Sequence, residues 1–138
     1  MKSVSQNNGP IRVLMVEDNP LDARLVFEYL EDAATGKFQL THVGRLSEAL
    51  KTLRTEKPDA ILLDLTLPDA SGTEGYIRLA PMAPSVPIIV LTGVEDASIE
   101  RQLLALGARD YMRKSRFEGR HLATVLANWV SLARGASR

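Results

Sequence analysis

Apolar residues in this chain come in two rhythms that alternate from one end to the other. The first is a short continuous run. Ile11-Arg12-Val13-Leu14-Met15-Val16 is of strand length and stops at Glu17-Asp18-Asn19-Pro20. Ala60-Ile61-Leu62-Leu63, entered from Asp59, stops at Asp64-Leu65, and Val86 to Leu91 stops at Thr92-Gly93. Such runs are too short for ordinary helices and suit strands buried on both faces of a parallel sheet. Phe38 to Val43 alternates well enough for another strand, and Asp110-Tyr111-Met112-Arg113 makes a short last one, followed at once by Lys114.

The second rhythm has helical spacing. Leu25, Val26, Tyr29 and Leu30 form one stripe, behind Asn19 as cap and Pro20 at the first helical position, where proline's missing N–H costs nothing. Gly36 fits its exit. Leu46, Ala49, Leu50 and Leu53 form the next stripe, closed before Pro58, and a short helix is expected from Thr73 to Leu79. Pro81 and Pro84 make Ala80 to Ser85 a loop. A helix from Ala97 to Leu106, capped by Asp96 and left through Gly107, is expected to bury Ile99, Leu103 and Leu106. The final helix, Glu118 to Ala133, carries Leu122, Val125, Leu126, Trp129, Val130 and Ala133. Alternation throughout predicts an α/β domain with a parallel sheet. The domain is expected over 11–134, between a polar leader at 1–10 and a tail at 135–138.

Composition changes this picture little. At 138 residues the chain is long enough for one core without staples. Lysine plus arginine equals aspartate plus glutamate, 17 each, so no global field favours nucleic acid or an anionic membrane. Absence of cysteine excludes disulfides, thiolate catalysis and cysteine zinc sites. No apolar run approaches membrane-spanning length, which makes the cytoplasm the default location. His42 and His121 stand apart and are expected at the surface, and core packing is favoured for Trp129.

Candidate chemistry lies where the runs stop. If the strands are parallel, Glu17-Asp18, Asp64, Thr92 and Lys114 converge on one edge of the sheet, where open α/β sheets place their sites. Crowded carboxylates repel one another and call for a cation. An oxygen-only set suits a hard ion, Mg²⁺ first. Acidic ligands, a hydroxyl and a lysine around one central carboxylate make a phosphoryl-transfer site.

From Ile11 to Ala133 the chain resembles the receiver domain of two-component response regulators. The resemblance is carried by Val16-Glu17-Asp18-Asn19-Pro20, by Leu63-Asp64-Leu65-Thr66-Leu67-Pro68-Asp69 with Gly72, by Val90-Leu91-Thr92-Gly93, and by Gly107-Ala108-Arg109-Asp110-Tyr111-Met112-Arg113-Lys114. Each fragment is weak alone; all four in this order are specific. The resemblance implies a flavodoxin-like, doubly wound five-stranded sheet of order 2-1-3-4-5 with helices on both faces, for which a member of that family is a standard example. It implies that Asp64 accepts a phosphoryl group from a phosphohistidine on a histidine kinase or histidine phosphotransfer protein. Asp18, Asp64 and the backbone carbonyl of Thr66 would bind Mg²⁺, with Glu17 acting through water. Thr92, the N–H of Gly93 and Lys114 would hold the phosphoryl oxygens, and Thr92 and Tyr111 would form the switch. One departure stands out: Ser115 follows the lysine where the family usually has a cis proline. A non-proline cis bond costs about 2.5–4 kcal/mol, so this peptide is expected trans and Lys114 less firmly pre-positioned.

On these grounds the chain is expected to be a signalling switch rather than a turnover enzyme, working through protein contact with an unknown target, neither nucleic acid nor membrane. A phosphorelay intermediate, passing the group to another histidine, is the alternative. A haloacid-dehalogenase-type hydrolase would need an acid where Thr66 stands, and no GxxxxGK[ST] or GxGxxG is present. The output face, which would also serve a homodimer, is assigned to the last two helices and last strand. Leu104 falls off its helix's stripe, and Val130 and Leu132 edge a stripe about 160° wide on the final helix. Phe27, off the first helix's stripe, is assigned to the phosphodonor face.

Overall fold

A computed structural model describes residues 9–116 and 118–136. Most of the expected leader therefore lies outside the described residues, as do Phe117, Ser137 and Arg138. The strands are β1 (Ile11–Val16), β2 (Phe38–Val43), β3 (Ala60–Leu63), β4 (Ile88–Thr92) and β5 (Asp110–Arg113). The helices are α1 (Pro20–Ala33), α2 (Leu46–Thr52), α3 (Glu74–Leu79), α4 (Ala97–Leu106) and α5 (Gly119–Ala136). Short 3₁₀ turns follow α3 at Ala80–Met82 and β5 at Lys114–Arg116.

All five strands are parallel, in the order β2-β1-β3-β4-β5. This is the flavodoxin-like sheet that the resemblance implied. Side chains alternate between its two faces. Leu14, Val16, Ile61, Leu63, Ile88, Val90 and Tyr111 pack under α2, α3 and α4, with Leu46, Ala49, Tyr76, Leu79 and Leu103. Val13, Met15, Leu62, Ile89, Leu91 and Met112 pack under α1 and α5, with Ala23, Val26, Leu30, Leu122, Leu126 and Val130.

Several expectations shift by a residue or two, each for a visible reason. Strand β4 starts at Ile88 because Pro87 has no N–H to give the ladder. Pro81 sits inside the 3₁₀ turn after α3, at an opening position that needs no donor. In α1 the buried residues are Ala23, Val26 and Leu30, whereas Leu25 and Tyr29 are exposed. The stripe lies one position round from the expected one because a small residue, Ala23, is part of it. In α4 Leu103 is buried and Ile99 half-buried, but Leu106 is 55% exposed. Gly107, at φ +122, reverses the chain there, and Ala108 drops into the core instead, its N–H on the carbonyl of Leu103.

Helix α5 corrects two expectations. The tail does not begin at 135: the helix runs to Ala136, its last turn tied down by Arg134 to Asp59 at 3.3 Å. Nor does Val130 reach past the core, being 2% exposed. The wide stripe of α5 is buried on two sides, by the sheet and by α1 beside it. The helices meet so closely at Gly119 that a Cβ there would lie 2.5 Å from Tyr29 Cβ and 3.0 Å from its carbonyl oxygen. Trp129 packs partly buried against this core, with the Arg109 guanidinium 5.3 Å from its ring centroid.

Candidate functional site

Parallel pairing brings four strand ends to one edge. The N–H of Glu17, just past β1, donates to Val43, and the N–H of Asp64, just past β3, donates to Val16. Asn19 caps α1 through its side chain, accepting from the N–H groups of Leu21 and Asp22, while its own N–H donates to Glu17 Oε2 at 3.1 Å. The capped turn thus fixes the acidic pair against the sheet. Across the same edge stand Thr92, the last residue of β4, and Lys114, the first after β5.

Asp64 is 5% exposed, and both its oxygens are held. Oδ1 accepts the Thr92 hydroxyl at 2.7 Å and the Thr66 N–H at 3.2 Å. Oδ2 accepts the Lys114 ammonium at 2.9 Å. That ammonium also reaches Glu17 Oε1 and Asp22 Oδ2, both at 2.8 Å. The Lys114–Ser115 peptide is trans, as expected. Three carboxylates nonetheless hold the lysine's head, and the Ser115 hydroxyl donates to Glu95 at 2.6 Å, tying its loop to the one after β4. So the expected looseness of Lys114 is not what the contacts give.

Electrostatics here are strained. Burial raises the carboxyl of Glu17 to about 7, and the Asp64 charge adds to this against the pull of Lys114. Burial also works against the charge on Lys114, but the hydrogen bonds it donates to Asp22, Glu17 and Asp64 outweigh it and raise its affinity for the proton. Glu17, Asp18 and Asp64 each offer a carboxylate oxygen within 4.8 Å of the others, two of the groups buried and Asp18 exposed. A trio of hard oxygens this tight, with one lysine near it, fits a divalent hard cation.

The two residues expected to form the switch are linked through Val94, whose N–H donates to the Thr92 hydroxyl oxygen at 3.3 Å. Tyr111 is buried, and its hydroxyl donates to the Val94 carbonyl at 2.6 Å, while the Thr92 hydroxyl points at Asp64. Gly93 is exposed, and a Cβ on it would meet nothing within 4 Å, so the protein itself does not require glycine there. Of the surface residues singled out, Phe27 is 46%, Leu104 41% and Leu132 60% exposed, whereas Tyr111 and Val130 are buried. His42 and His121 are exposed, as expected.

Three contributors were not visible in the sequence. Asp22 carries no signal of its own in the sequence, being an acid in the first turn of α1 as many helices have. His42 Nε2 lies 2.6 Å from the Glu17 carbonyl, pinning the acidic loop from β2. Asp69 caps α2 from a distant loop, accepting from the N–H groups of Leu46 and Ser47 at 2.9 and 3.0 Å.

Comparison with known proteins agrees with this geometry. The family model of the response regulator receiver domain matches residues 13–126. The transcriptional regulatory protein PhoP of Escherichia coli O157:H7 is 33% identical over 124 residues, 90% of this chain and 52% of that protein. The receiver domain of the sensor histidine kinase PA1611 from Pseudomonas aeruginosa PAO1, solved with magnesium in its active-site cleft, is 28% identical. Its TM-score is 0.72, over 89% of this chain and 99% of that one. The phosphorylated cyanobacterial phytochrome response regulator RcpA is 27% identical with a TM-score of 0.68, covering 93% and 91%. The chain spans between 13% and 52% of the length of the curated relatives it matches.

Proposed function

The chain belongs to the response regulator receiver domain family, and on that premise we propose that it is a phosphorylation-controlled signalling switch with Asp64 as phosphoacceptor. The grip on Asp64 carries the proposal: a buried carboxylate at a strand end, one oxygen on a hydroxyl and the other on an ammonium, beside two further acids. In the transfer a carboxylate oxygen of Asp64 attacks phosphorus, and the P–N bond to the donor's histidine breaks. The imidazole leaves with the electron pair and takes up a proton. Lys114 and the Thr92 hydroxyl then hold oxygens of the new acyl phosphate, with the N–H of Gly93 beside them. Bound Mg²⁺, held by Asp18, Asp64 and the Thr66 carbonyl with Glu17 acting through water, would supply positive charge against the carboxylates and the entering phosphoryl oxygens. Thr92 and Tyr111 transmit the change: a phosphoryl group can shift a conformation only by binding one state better than another, and the Thr92 hydroxyl is the group that would tell them apart.

The partners follow from this chemistry. A histidine kinase or histidine phosphotransfer protein supplies the group, docking beside α1 where Phe27 is exposed, and an unidentified protein reads the result. No helix among the described residues is long and apolar enough to cross a membrane, and we assign the chain to the cytoplasm. The test is uptake of phosphate from a small phosphodonor with and without Mg²⁺. Wild type should be labelled only with Mg²⁺, and Asp64→Asn, which keeps the shape and loses the nucleophile, should stay unlabelled. Full labelling of Asp64→Asn would overturn the assignment.

A further inference from the structure

Lys114 has three N–H donors and meets three carboxylates, Glu17, Asp22 and Asp64, at 2.8, 2.8 and 2.9 Å. They are not equivalent. Glu17 and Asp64 belong to the trio whose oxygens converge as cation ligands, and Asp22 does not. A cation drawn to that trio competes with Lys114 for two of its partners. A phosphoryl group on Asp64 displaces one of them again. Asp22 alone is left out of both events. It also sits on the third residue of α1, on a turn fixed by the Asn19 cap, so its carboxylate is held by a helix and not a loop.

We propose that Asp22 is the anchor of Lys114: a positioning residue that keeps the ammonium at the site when the cation and then the phosphoryl group take its other two partners. The proposal rests on Asp64 being the acceptor, and it concerns a residue with no part in the metal or phosphoryl contacts themselves. It also accounts for the serine after the lysine. A chain without the proline that usually shapes this loop fixes its lysine from the far end, by the head group. The Ser115–Glu95 hydrogen bond restrains the backbone one residue on. A charge-assisted hydrogen bond to a carboxylate on a rigid turn is strong enough for that task.

The competing account makes Asp22 an acid in the first turn of a helix, favourable to the dipole and indifferent to Lys114. Labelling with an amine-reactive reagent, read by mass spectrometry, separates the two. Exposed Lys37, Lys51 and Lys57 serve as internal references. Asp22→Asn should speed labelling of Lys114 severalfold without Mg²⁺ and by about tenfold with it, because the cation then occupies the remaining carboxylates. Asp22→Glu, which keeps the charge, should restore most of the protection. Unchanged labelling of Lys114 in Asp22→Asn with Mg²⁺ present would overturn the proposal, whether or not Asp64 accepts phosphate. In a second arm, Asp22→Asn should slow phosphoryl uptake by about threefold to tenfold, and should slow it no further in a Lys114→Ala background. Additive losses would show that Asp22 acts without the lysine, which also overturns the proposal. If wild type takes up no phosphate, the receiver assignment fails, and the labelling arm still decides whether Asp22 holds the lysine.

Discussion

Glu17 is where burial has its clearest chemical consequence. Its carboxyl is raised to about 7 by burial and by Asp64, against 4.5 for a free glutamate. Between those values the folded protein binds more protons than the unfolded chain, so stability falls as pH rises from about 4.5 through 7. The loss is on the order of 1–3 kcal/mol, since one pKa unit corresponds to about 1.4 kcal/mol and Lys114 is coupled to the same group. Thermal unfolding of the metal-free protein should therefore show a lower midpoint at pH 8 than at pH 5.5, and Glu17→Gln should flatten that slope. A wild-type midpoint that rises over this range would contradict the assignment. At this scale the site was largely legible. Asp64, Glu17, Asp18, Thr92 and Lys114 are polar residues standing where apolar runs stop, which a core would not choose. Asp22 and Asp69 were not legible, because a first-turn acid or a loop acid looks the same whether it faces water or a partner from elsewhere in the chain.

At the scale of elements, most of the strands and helices could be read from the two apolar rhythms, while the buried face of a helix could not. Val130 shows why. An isolated helix on a sheet would leave the edges of so wide a stripe uncovered, but α1 lies against α5 and buries one of them. Contacts between helices depend on how neighbouring elements approach, which no single stripe records. The approach has a marker in Gly119, where a Cβ would stand 2.5 Å from Tyr29 Cβ and 3.0 Å from its backbone oxygen. Backbone cannot give way as a flexible side-chain tip can, so the two helices must move apart. Gly119→Ala should cost about 1–3 kcal/mol, the usual range for overpacking, even though alanine is the better helix former. Chemical denaturation checks this: a variant as stable as wild type would mean that the contact is looser than it looks.

For the molecule as a whole, the strand order came from the resemblance and not from periodicity, which says nothing about which strands are neighbours. Right-handed crossovers then explain the layers. The connection through α1 runs outward from β1 to β2, and those through α2, α3 and α4 run back across the sheet, so α1 lies on one face and the other three on the opposite one. Helix α5 joins α1 where two helices leave room. The edge strand β5 is thus flanked by α4 on one face and α5 on the other. Around this edge Leu104, Leu106 and Leu132 are 41%, 55% and 60% exposed, and Tyr111 is buried beneath it with its hydroxyl on Val94. Isolated exposed leucines mean little, but several on the helices flanking one edge strand, with the proposed switch tyrosine beneath, support the proposed output surface. The proposed phosphodonor face lies elsewhere, on α1 near Phe27. Leu104→Glu places a charge on the proposed output surface and touches none of the residues that hold Asp64. It should accept phosphate at the wild-type rate while losing phosphorylation-dependent self-association or target binding by about tenfold or more, as expected when a charge must be desolvated in an apolar contact. Sedimentation before and after phosphorylation measures the first, and a labelling time course the second. If Leu104→Glu instead blocks phosphotransfer and leaves the downstream contact untouched, the donor face and the output face have been exchanged.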